Sequence, residues 1–226
     1  MSPRIALLFG STGLVGNLLL EELIRSELYS RVIIFVRKAG HISNDRVEEV
    51  VMDFSSPEQY SRMIKGNDIF ICLGSTIKKA GSVANFERID RDLPLKLASI
   101  AKANGVEKIA VISSVGANRL SGNYYLRVKG EMEQGILDLN FSQCVIARPS
   151  MLLGKRNEKR LGESLGKVFM KIINPLISGK FRKYKAILGH DVARAMIAAL
   201  QESSFKTIYE SDELQELSDK YQTRNI

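Results

Sequence analysis

Short apolar runs alternate with amphipathic stretches over the first two thirds of the chain. Six runs of strand length predict buried strands, at residues 5–9, 32–36, 48–53, 68–73, 108–113 and 143–147. Apolar residues at helical spacing predict helices between them, at residues 14–28, 57–64, 90–104 and 124–137. This alternation predicts an α/β protein, a doubly wound parallel sheet with helices on both faces.

The pattern loosens after Pro149. We expect an amphipathic helix at residues 161–176, which Asn174-Pro175 ends or kinks, and a helix at residues 192–200 with Asp191 as a candidate N-cap. A short last strand at residues 207–209 and a C-terminal helix at residues 211–220 are expected to follow. No repeat or linker divides the chain, so the expectation is a single domain over residues 1–226.

A glycine-rich loop follows the first predicted strand. Gly10 allows a tight turn, Gly13 allows backbone to approach a pyrophosphate, and Gly16 allows the next helix to pack on the strand. The helix N-terminus then faces the phosphates. The spacing G-x-x-G-x-x-G departs from the G-x-G-x-x-G fingerprint, and such clusters also occur in ordinary turns. On this basis we predict a dinucleotide site.

The end of the second predicted strand carries two cations. Arg37 and Lys38 stand about 20 residues beyond Gly16, where an NAD-binding fold places an acidic residue for the ribose hydroxyls. Two cations suit a 2′-phosphate, which predicts NADP(H); the alternative is a solvated strand end. Asp53, at the end of the third strand, is placed to reach the adenine, or is simply a turn residue.

A tyrosine and a lysine lie four residues apart on one predicted helix. Tyr125 and Lys129 therefore share a face, where the ammonium can lower the pKa of the phenol from about 10 and prepare it for proton transfer. Ser113 and Ser114 end the preceding strand, at the sheet edge where such folds bind ligands. The Tyr-x-x-x-Lys pair alone is common on surface helices.

The cysteines, the histidines and the lengths of the apolar runs argue against a disulfide-bonded, metal-binding or membrane-spanning protein. With Cys72 and Cys144 in predicted interior strands and His41 far from His190, we expect free buried thiols and no metal site. No apolar run is long enough to span a bilayer, and no leader is expected before the first strand. These features suggest a cytoplasmic protein.

The net charge of +8 is concentrated in one segment. Residues 155–185 contain ten Lys or Arg and two Glu, and the rest of the chain is neutral. No nucleic-acid-binding motif is present, so no nucleic acid is expected. An anionic substrate, an acidic protein partner, an anionic membrane surface contacted peripherally, or a solvated helix face would each explain the excess.

Several motifs together resemble a known family. GSTGLVG at residues 10–16, SSVGA at 113–117, YYLRVKG at 124–130 and ARPSMLLG at 147–154 resemble the atypical short-chain dehydrogenase/reductases. The segments CLGST at 72–76 and KAGSVANFERIDRD at 79–92 are most similar to the Tat-interactive-protein-type NAD(P)-binding oxidoreductases. The resemblance covers roughly residues 4–200.

The resemblance implies a Rossmann-type sheet and a role for each matching residue. Tyr125 would be the acid/base, Lys129 would bind the ribose and tune the phenol, and Ser114, or else Ser113, would orient the substrate. Cofactor contacts would come from Gly10, Ser11, Thr12, Gly13, Leu14, Val15, Gly16, Arg37, Leu73, Gly74, Ser75, Arg148, Pro149 and Ser150. Residues 150–190 would cover the substrate. Lys96 stands where many of these enzymes carry an asparagine that supports a proton-relay water.

These observations predict an NADP(H)-dependent oxidoreductase acting on a small carbonyl or alcohol substrate, and an anionic substrate is one explanation of the basic segment. One alternative is a protein that senses NADP(H) without turnover, although it would have no use for the serine, tyrosine and lysine together. The other alternative is a nucleotide-sugar epimerase-like enzyme. It is disfavoured because the segment after residue 148 is short. The oligomeric state cannot be read from the chain.

Overall fold

A parallel sheet of seven strands forms the centre of the protein. The computed structural model describes residues 4–40, 42–154, 179–202 and 206–224. Its strands in chain order are β1 (Arg4–Phe9), β2 (Tyr29–Val36), β3 (Val47–Val51), β4 (Asp68–Ile71), β5 (Lys108–Ile112), β6 (Gln143–Arg148), β7 (Leu152–Leu153), β8 (Ile187–Leu188) and β9 (Ile208–Glu210). The main sheet has the order β3-β2-β1-β4-β5-β6-β9, and β7 pairs with β8 in a small parallel sheet.

Helices cover both faces of the main sheet. They are α1 (Leu14–Arg25), α2 (Ile77–Ala80), α3 (Val83–Glu87), α4 (Leu93–Ala103), α5 (Tyr124–Asp138), α6 (Gly189–Ala199) and α7 (Ser211–Arg224). A π-helical turn, Arg88–Asp92, joins α3 to α4, and 3₁₀ helices span Pro57–Met63 and Gly179–Tyr184.

Alternate residues of each strand enter two separate cores. Leu8 of β1 packs in the core beneath α1, α6 and α7, whereas its neighbour Leu7 packs in the core beneath α4 and α5. Successive side chains of a strand point to opposite faces, so a strand covered on both faces is apolar throughout. The predicted doubly wound parallel sheet is confirmed.

The direction in which successive strands are added to the sheet reverses between β1 and β4. From β1 the chain winds outward through β2 and β3, then returns to the other side of β1 and continues through β4, β5 and β6. Ligands of open parallel sheets bind at such a reversal, beyond the carboxyl ends of the strands. The loops after β1 and β4 therefore meet where a site is expected.

Several element boundaries differ from the sequence predictions. Helix α6 begins at Gly189, and Asp191 lies within its first turn, where its carboxylate accepts a hydrogen bond from the buried Ser218 hydroxyl at 2.9 Å. Helices α2 and α3 and the β7–β8 pair were not predicted, because they are too short to show a period. The helix predicted at 161–176 lies outside the described residues. No helix in the described part of the chain is long and apolar enough to cross a membrane.

A buried carboxylate ties together the starts of three neighbouring strands. Asp68, at the start of β4, accepts hydrogen bonds of 2.5 Å from the Tyr29 hydroxyl of β2 and from the Arg4 guanidinium of β1. Burial is the main cause that raises the pKa of the Tyr29 hydroxyl well above its usual value, and the adjacent Asp68 carboxylate raises this pKa further. The phenol therefore stays neutral in the folded protein, and its contribution to stability is lost only as the pH rises past about 10.

We predict that Tyr29→Phe lowers the free energy of unfolding by about 2 kcal/mol, because it removes a buried hydrogen bond to a charged group. Urea unfolding measures the change. Tyr60→Phe is the control, since the Tyr60 hydroxyl makes no hydrogen bond with the described residues. A loss at Tyr29 no larger than at Tyr60 would contradict the role given to Asp68.

Candidate active site

Backbone contacts shape the loop between β1 and α1. Gly10 has φ +89°, and a Cβ at this residue would lie 2.6 Å from the Cys72 carbonyl oxygen at the end of β4. A Cβ at Gly16 would overlap the Gly10 carbonyl oxygen, which also accepts a hydrogen bond of 2.9 Å from the Gly13 amide. Only glycine can therefore occupy positions 10 and 16 in this turn.

The N-terminus of α1 is open toward the loop. Gly13 is its N-cap and supplies no capping side chain, and no acidic residue lies in the first turn. The first amides of a helix and its dipole favour an anion at this position. Thr12 and Gly13 are exposed, whereas Ser11 and Val15 are buried. This cradle of backbone donors and missing Cβ atoms fits a dinucleotide pyrophosphate.

The two cations after β2 are exposed. Arg37 and Lys38 form no ion pair with the described residues, whereas the nearby Glu49 carboxylate accepts hydrogen bonds from the amides of Gly40 and Ile42 at 2.6 and 2.5 Å. The strand end thus presents positive charge, and the carboxylate beside it is held by backbone amides.

Asp53 follows β3 in an Asx turn. Its two carboxylate oxygens accept hydrogen bonds from the amide and the hydroxyl of Ser55, at 2.8 and 2.6 Å. Both hydrogen bonds lower the pKa of the Asp53 carboxyl, and the one from the Ser55 hydroxyl has the larger effect. The Met52 amide donates to the Val36 carbonyl at 2.9 Å, which places the turn next to the end of β2.

Helix α5 carries Tyr125 and Lys129 one turn apart, as the spacing predicts. The Tyr125 ring is partly exposed and stacks on Phe86 of α3, with ring centroids 5.6 Å apart. The Lys129 side chain is 3% exposed. Asn123 is the N-cap of helix α5, and its side chain accepts a hydrogen bond from the Leu126 amide. This cap sets the start of the helix on which both groups stand.

The neighbouring tyrosine is engaged elsewhere. The Tyr124 hydroxyl donates to the Glu87 carboxylate at 2.6 Å, and this hydrogen bond raises the pKa of Tyr124. Arg127 lies over the Tyr124 ring, with the guanidinium carbon 5.0 Å from its centroid. Of the two adjacent phenols, only that of Tyr125 has no hydrogen-bond partner among the described residues.

Lys129 has an acidic partner that the sequence reasoning did not identify. The carboxylate of Asp90 lies 2.7 Å from the Lys129 ammonium and accepts a hydrogen bond of 2.8 Å from the Ser75 amide. Asp90 was predicted only as the first residue of a helix. A signal existed, because Asp90 precedes Leu93 and Leu97 by three and seven residues and so falls on the apolar face of the predicted helix.

The loop after β5 packs closely against α5. The Asn118 amide donates to the Leu126 carbonyl at 3.0 Å, and a Cβ at Gly130 would overlap the backbone of Asn118 and Arg119. This contact brings the segment that begins with Ser113 and Ser114 beside the helix. The geometry requires glycine at position 130, directly after Lys129.

The two candidate serines differ in their surroundings. The Ser113 hydroxyl is buried and has no hydrogen-bond partner among the described residues, whereas the Ser114 hydroxyl is near the Val115 carbonyl at 3.5 Å. Neither is hydrogen-bonded to Tyr125 within the described chain. Both serines begin the loop that packs on α5, and their surroundings do not distinguish their roles.

The segment after β6 is held from two sides. The Pro149 carbonyl accepts from the Val115 amide at 3.1 Å, and the Ser150 amide donates to the Ser211 hydroxyl at 2.7 Å. The Arg148 guanidinium is bound by the nearly buried Glu133 carboxylate of α5, which raises the Arg148 pKa. The side chain of Arg148 thus joins β6 to α5, and it also pairs with Glu210 of β9 at 3.4 Å.

The remaining residues named from the sequence, Lys96 and the two cysteines, have surroundings of their own. Lys96 forms an ion pair with Glu58 on the surface, so Asp90, not residue 96, is the group of this helix that faces Lys129. Cys72 and Cys144 are free and partly buried, and burial raises the pKa of both thiols, that of Cys144 to about 12. The described residues contain no cluster suited to a metal ion.

Most of the basic segment, residues 155–178, lies outside the described residues. In its described part, Arg182 pairs with Glu216 of α7 at 3.1 Å, beside a cleft of about 300 Å³. This cleft is lined by both acidic and basic residues, so the structure adds no preference among the explanations for the charge.

The strand order, the glycine turn and the open helix end define a dinucleotide-binding domain of the Rossmann type. A sequence profile for the family described as NAD(P)H-binding matches residues 10–203, and the chain belongs to this family.

Known proteins agree with this membership. Protein HTATIP2 of Rattus norvegicus is 36% identical over 173 residues, which are 75% of this chain and 71% of that protein. Protein FMP52 of Candida glabrata, named mitochondrial, is 36% identical over 212 residues, which are 92% and 90% of the two chains. The resemblance to the Tat-interactive-protein type is thereby confirmed.

A solved epimerase shares the fold. The UDP-N-acetylglucosamine 4-epimerase of Methanobrevibacter ruminantium superposes with a TM-score of 0.70 at 16% identity, over 96% of this chain and 81% of that chain. At this identity the comparison supports the architecture alone.

The relatives correct one expectation. FMP52 proteins of other yeasts, at 33 and 36% identity, are also named mitochondrial. The cytoplasmic location predicted from cysteine usage and the N-terminal sequence is therefore wrong by this comparison. Free buried thiols do not distinguish one reducing compartment from another.

We predict that Gly130→Ala destabilises the protein by about 3 kcal/mol, because the added methyl group overlaps backbone that cannot move without displacing the loop. Thermal or urea unfolding measures the loss. Gly122→Ala is the matched control, since a Cβ there meets nothing within 4 Å. Equal stability of the two variants would show that the loop does not depend on this contact.

Proposed function

We propose that this protein is an NADP(H)-dependent oxidoreductase of the atypical short-chain dehydrogenase/reductase type. It would transfer a hydride between the nicotinamide and a carbonyl or alcohol carbon. The observation that carries the proposal is the Lys129 ammonium, buried one helical turn from Tyr125 and beside the Gly74–Ser75 loop. Membership of the NAD(P)H-binding family supports the cofactor class.

The roles of the chain's own groups follow from their chemistry. The reduced nicotinamide, when bound, supplies a hydride to the carbonyl carbon. Tyr125 donates its phenolic proton to the carbonyl oxygen and, in the reverse direction, accepts it from the alcohol. Lys129 places a positive charge one helical turn from the phenol and binds the ribose, and Ser114 orients the oxygen.

The cofactor would lie beyond the ends of β1 and β4, where the strand order reverses. The glycine turn and the start of α1 would hold the pyrophosphate, Asp53 would contact the adenine, and the Leu73–Ser75 loop would lie below the nicotinamide ribose. The backbone of residues 148–150 would close the nicotinamide side. Residues 150–190 would cover the substrate, as part of a single domain, and the β7–β8 pair would hold the two ends of that segment together.

The charge after β2 supports NADP(H) over NAD(H). A 2′-phosphate needs cations, and Arg37 and Lys38 are exposed and unpaired within the described residues. A free ribose hydroxyl needs a carboxylate acceptor. The two carboxylates nearby, Glu49 and Asp53, already accept hydrogen bonds from the protein itself.

We predict that NADPH binds at least about tenfold more tightly than NADH, a difference of about 1.4 kcal/mol. Fluorescence titration of the purified protein measures both affinities. Arg37→Ala should weaken NADPH binding and leave NADH binding unchanged, because only the former carries the phosphate. Equal affinities in the unaltered protein would refute the assignment of Arg37 and Lys38.

We predict that Tyr125→Phe abolishes NADPH oxidation, measured on a panel of aldehydes, ketones and quinones, and leaves NADPH affinity nearly unchanged. The phenolic proton is lost, whereas the ring and its stacking on Phe86 remain. Tyr124→Phe is the matched control and should retain turnover, since the Tyr124 hydroxyl is bound to Glu87. Full activity of Tyr125→Phe would remove this residue from the mechanism.

The same panel tests the alternatives. Tight NADPH binding without turnover on any compound would favour a sensor of NADP(H). Interconversion of nucleotide sugars without net oxidation of NADPH would favour the alternative of an epimerase-like enzyme. The solved neighbour of that class shares only the fold with this chain.

A further inference from the structure

Asp90 lies in an irregular turn of a long helix. In the π-helical segment Arg88–Asp92, the Leu93 amide donates to the Arg88 carbonyl, five residues earlier. The Asp90 carboxylate is fully buried at this turn. Single π turns within α-helices occur frequently at functional sites, because they redirect one side chain without ending the helix.

The carboxylate joins three elements at the sheet edge. One oxygen lies 2.7 Å from the Lys129 ammonium of α5, and the other accepts from the Ser75 amide at 2.8 Å. Gly74 passes directly beside the pair, since a Cβ there would lie 3.4 Å from Asp90 Oδ1 and 3.6 Å from Lys129 Nζ. The π turn, the loop after β4 and α5 are thus held in register.

A separate ion pair joins the helix that carries Asp90 to α5. Arg91, next to Asp90, contacts the Glu131 carboxylate of α5 at 2.8 Å in a partly exposed position. A buried carboxylate and ammonium cost desolvation that a surface pair avoids. Docking of the two helices alone therefore does not account for Asp90.

We propose that Asp90 is a positioning residue, which holds the Lys129 ammonium toward the dinucleotide site and offsets part of its positive charge at Tyr125. The inference deepens the proposed function and rests on it. An ammonium has three N–H donors, and one contact with Asp90 leaves two for the cofactor ribose. Through the Ser75 amide, the same carboxylate orients the loop below that ribose.

The charged groups around the pair define its electrostatics. The loop after β4 contributes the backbone of Gly74 and Ser75, and α5 contributes Lys129 and Tyr125. On the helix of Asp90 itself, Glu87 and Asp92 pair with Arg91. Removing the Asp90 charge leaves the positive charge of Lys129 uncompensated one helical turn from Tyr125, and a rate that depends on proton transfer responds to such a change.

The first test compares NADPH affinities by fluorescence titration. Asp90→Asn retains an acceptor for the Ser75 amide but loses the charge that holds the ammonium, so we expect NADPH to bind at least about tenfold more weakly. Asp92→Asn removes an exposed carboxylate two residues away and should change the affinity less than twofold. Unchanged affinity of Asp90→Asn would overturn the positioning role.

The second test is the pH profile of NADPH oxidation, which a purely structural role would not shift. Activity falls at high pH as the proton-donating group deprotonates. In Asp90→Asn we expect this fall about one pH unit lower than in the wild type and in Asp92→Asn. An unshifted profile would overturn the electrostatic part of the proposal.

The third test needs neither turnover nor a soluble Asp90→Asn variant. Lys129→Met leaves the Asp90 carboxylate buried without its cation, so we expect Asp90→Asn/Lys129→Met to unfold at a higher temperature than Lys129→Met alone. No recovery in the double variant would overturn the ion pair. If the wild type binds NADPH without turning over any substrate, the enzyme assignment fails, whereas the affinity and stability tests still decide the role of Asp90.

Discussion

Two contacts that are too close for any side chain hold the site together. At the first, α1 approaches the turn after β1 so closely that Gly16 rests on the Gly10 carbonyl. At the second, the loop after β5 lies on α5 at Gly130. The first exposes the helix end that suits a pyrophosphate, and the second places the serine loop beside the helix of Tyr125 and Lys129. Both depend on backbone packing, which is more rigid than contacts between long side chains.

Charge is distributed differently at the two ends of the proposed cofactor site. After β2, Arg37 and Lys38 are exposed, and the adjacent carboxylates accept hydrogen bonds from the protein. At the opposite end, the Lys129 ammonium is buried and paired with Asp90. An exposed cation attracts a phosphate in water, whereas a buried cation acts at short range in a low dielectric, where its partner controls its effect.

Much of the fold could be predicted because its signals are local. Apolar runs of strand length identified β1 to β6, and three glycines identified the turn before α1. Tyr125 and Lys129 share a face because helix periodicity alone requires it. The short helices α2 and α3 and the β7–β8 pair were missed, since segments of two to five residues show no period. The start of α6 differs from the prediction because Asp191 accepts a hydrogen bond from Ser218 and does not cap the helix, which begins at Gly189.

The sequence by itself determined the order of strands and helices, the glycine turn and the spacing of the tyrosine and lysine. These follow from periodicity and from backbone conformations that only glycine adopts. Only the tertiary structure decided which charges meet. It pairs Lys129 with Asp90, commits Arg148 to Glu133 and leaves Lys96 on the surface with Glu58. Such partners are far apart in the chain, and their contact depends on a π turn and on helix packing that no local pattern encodes.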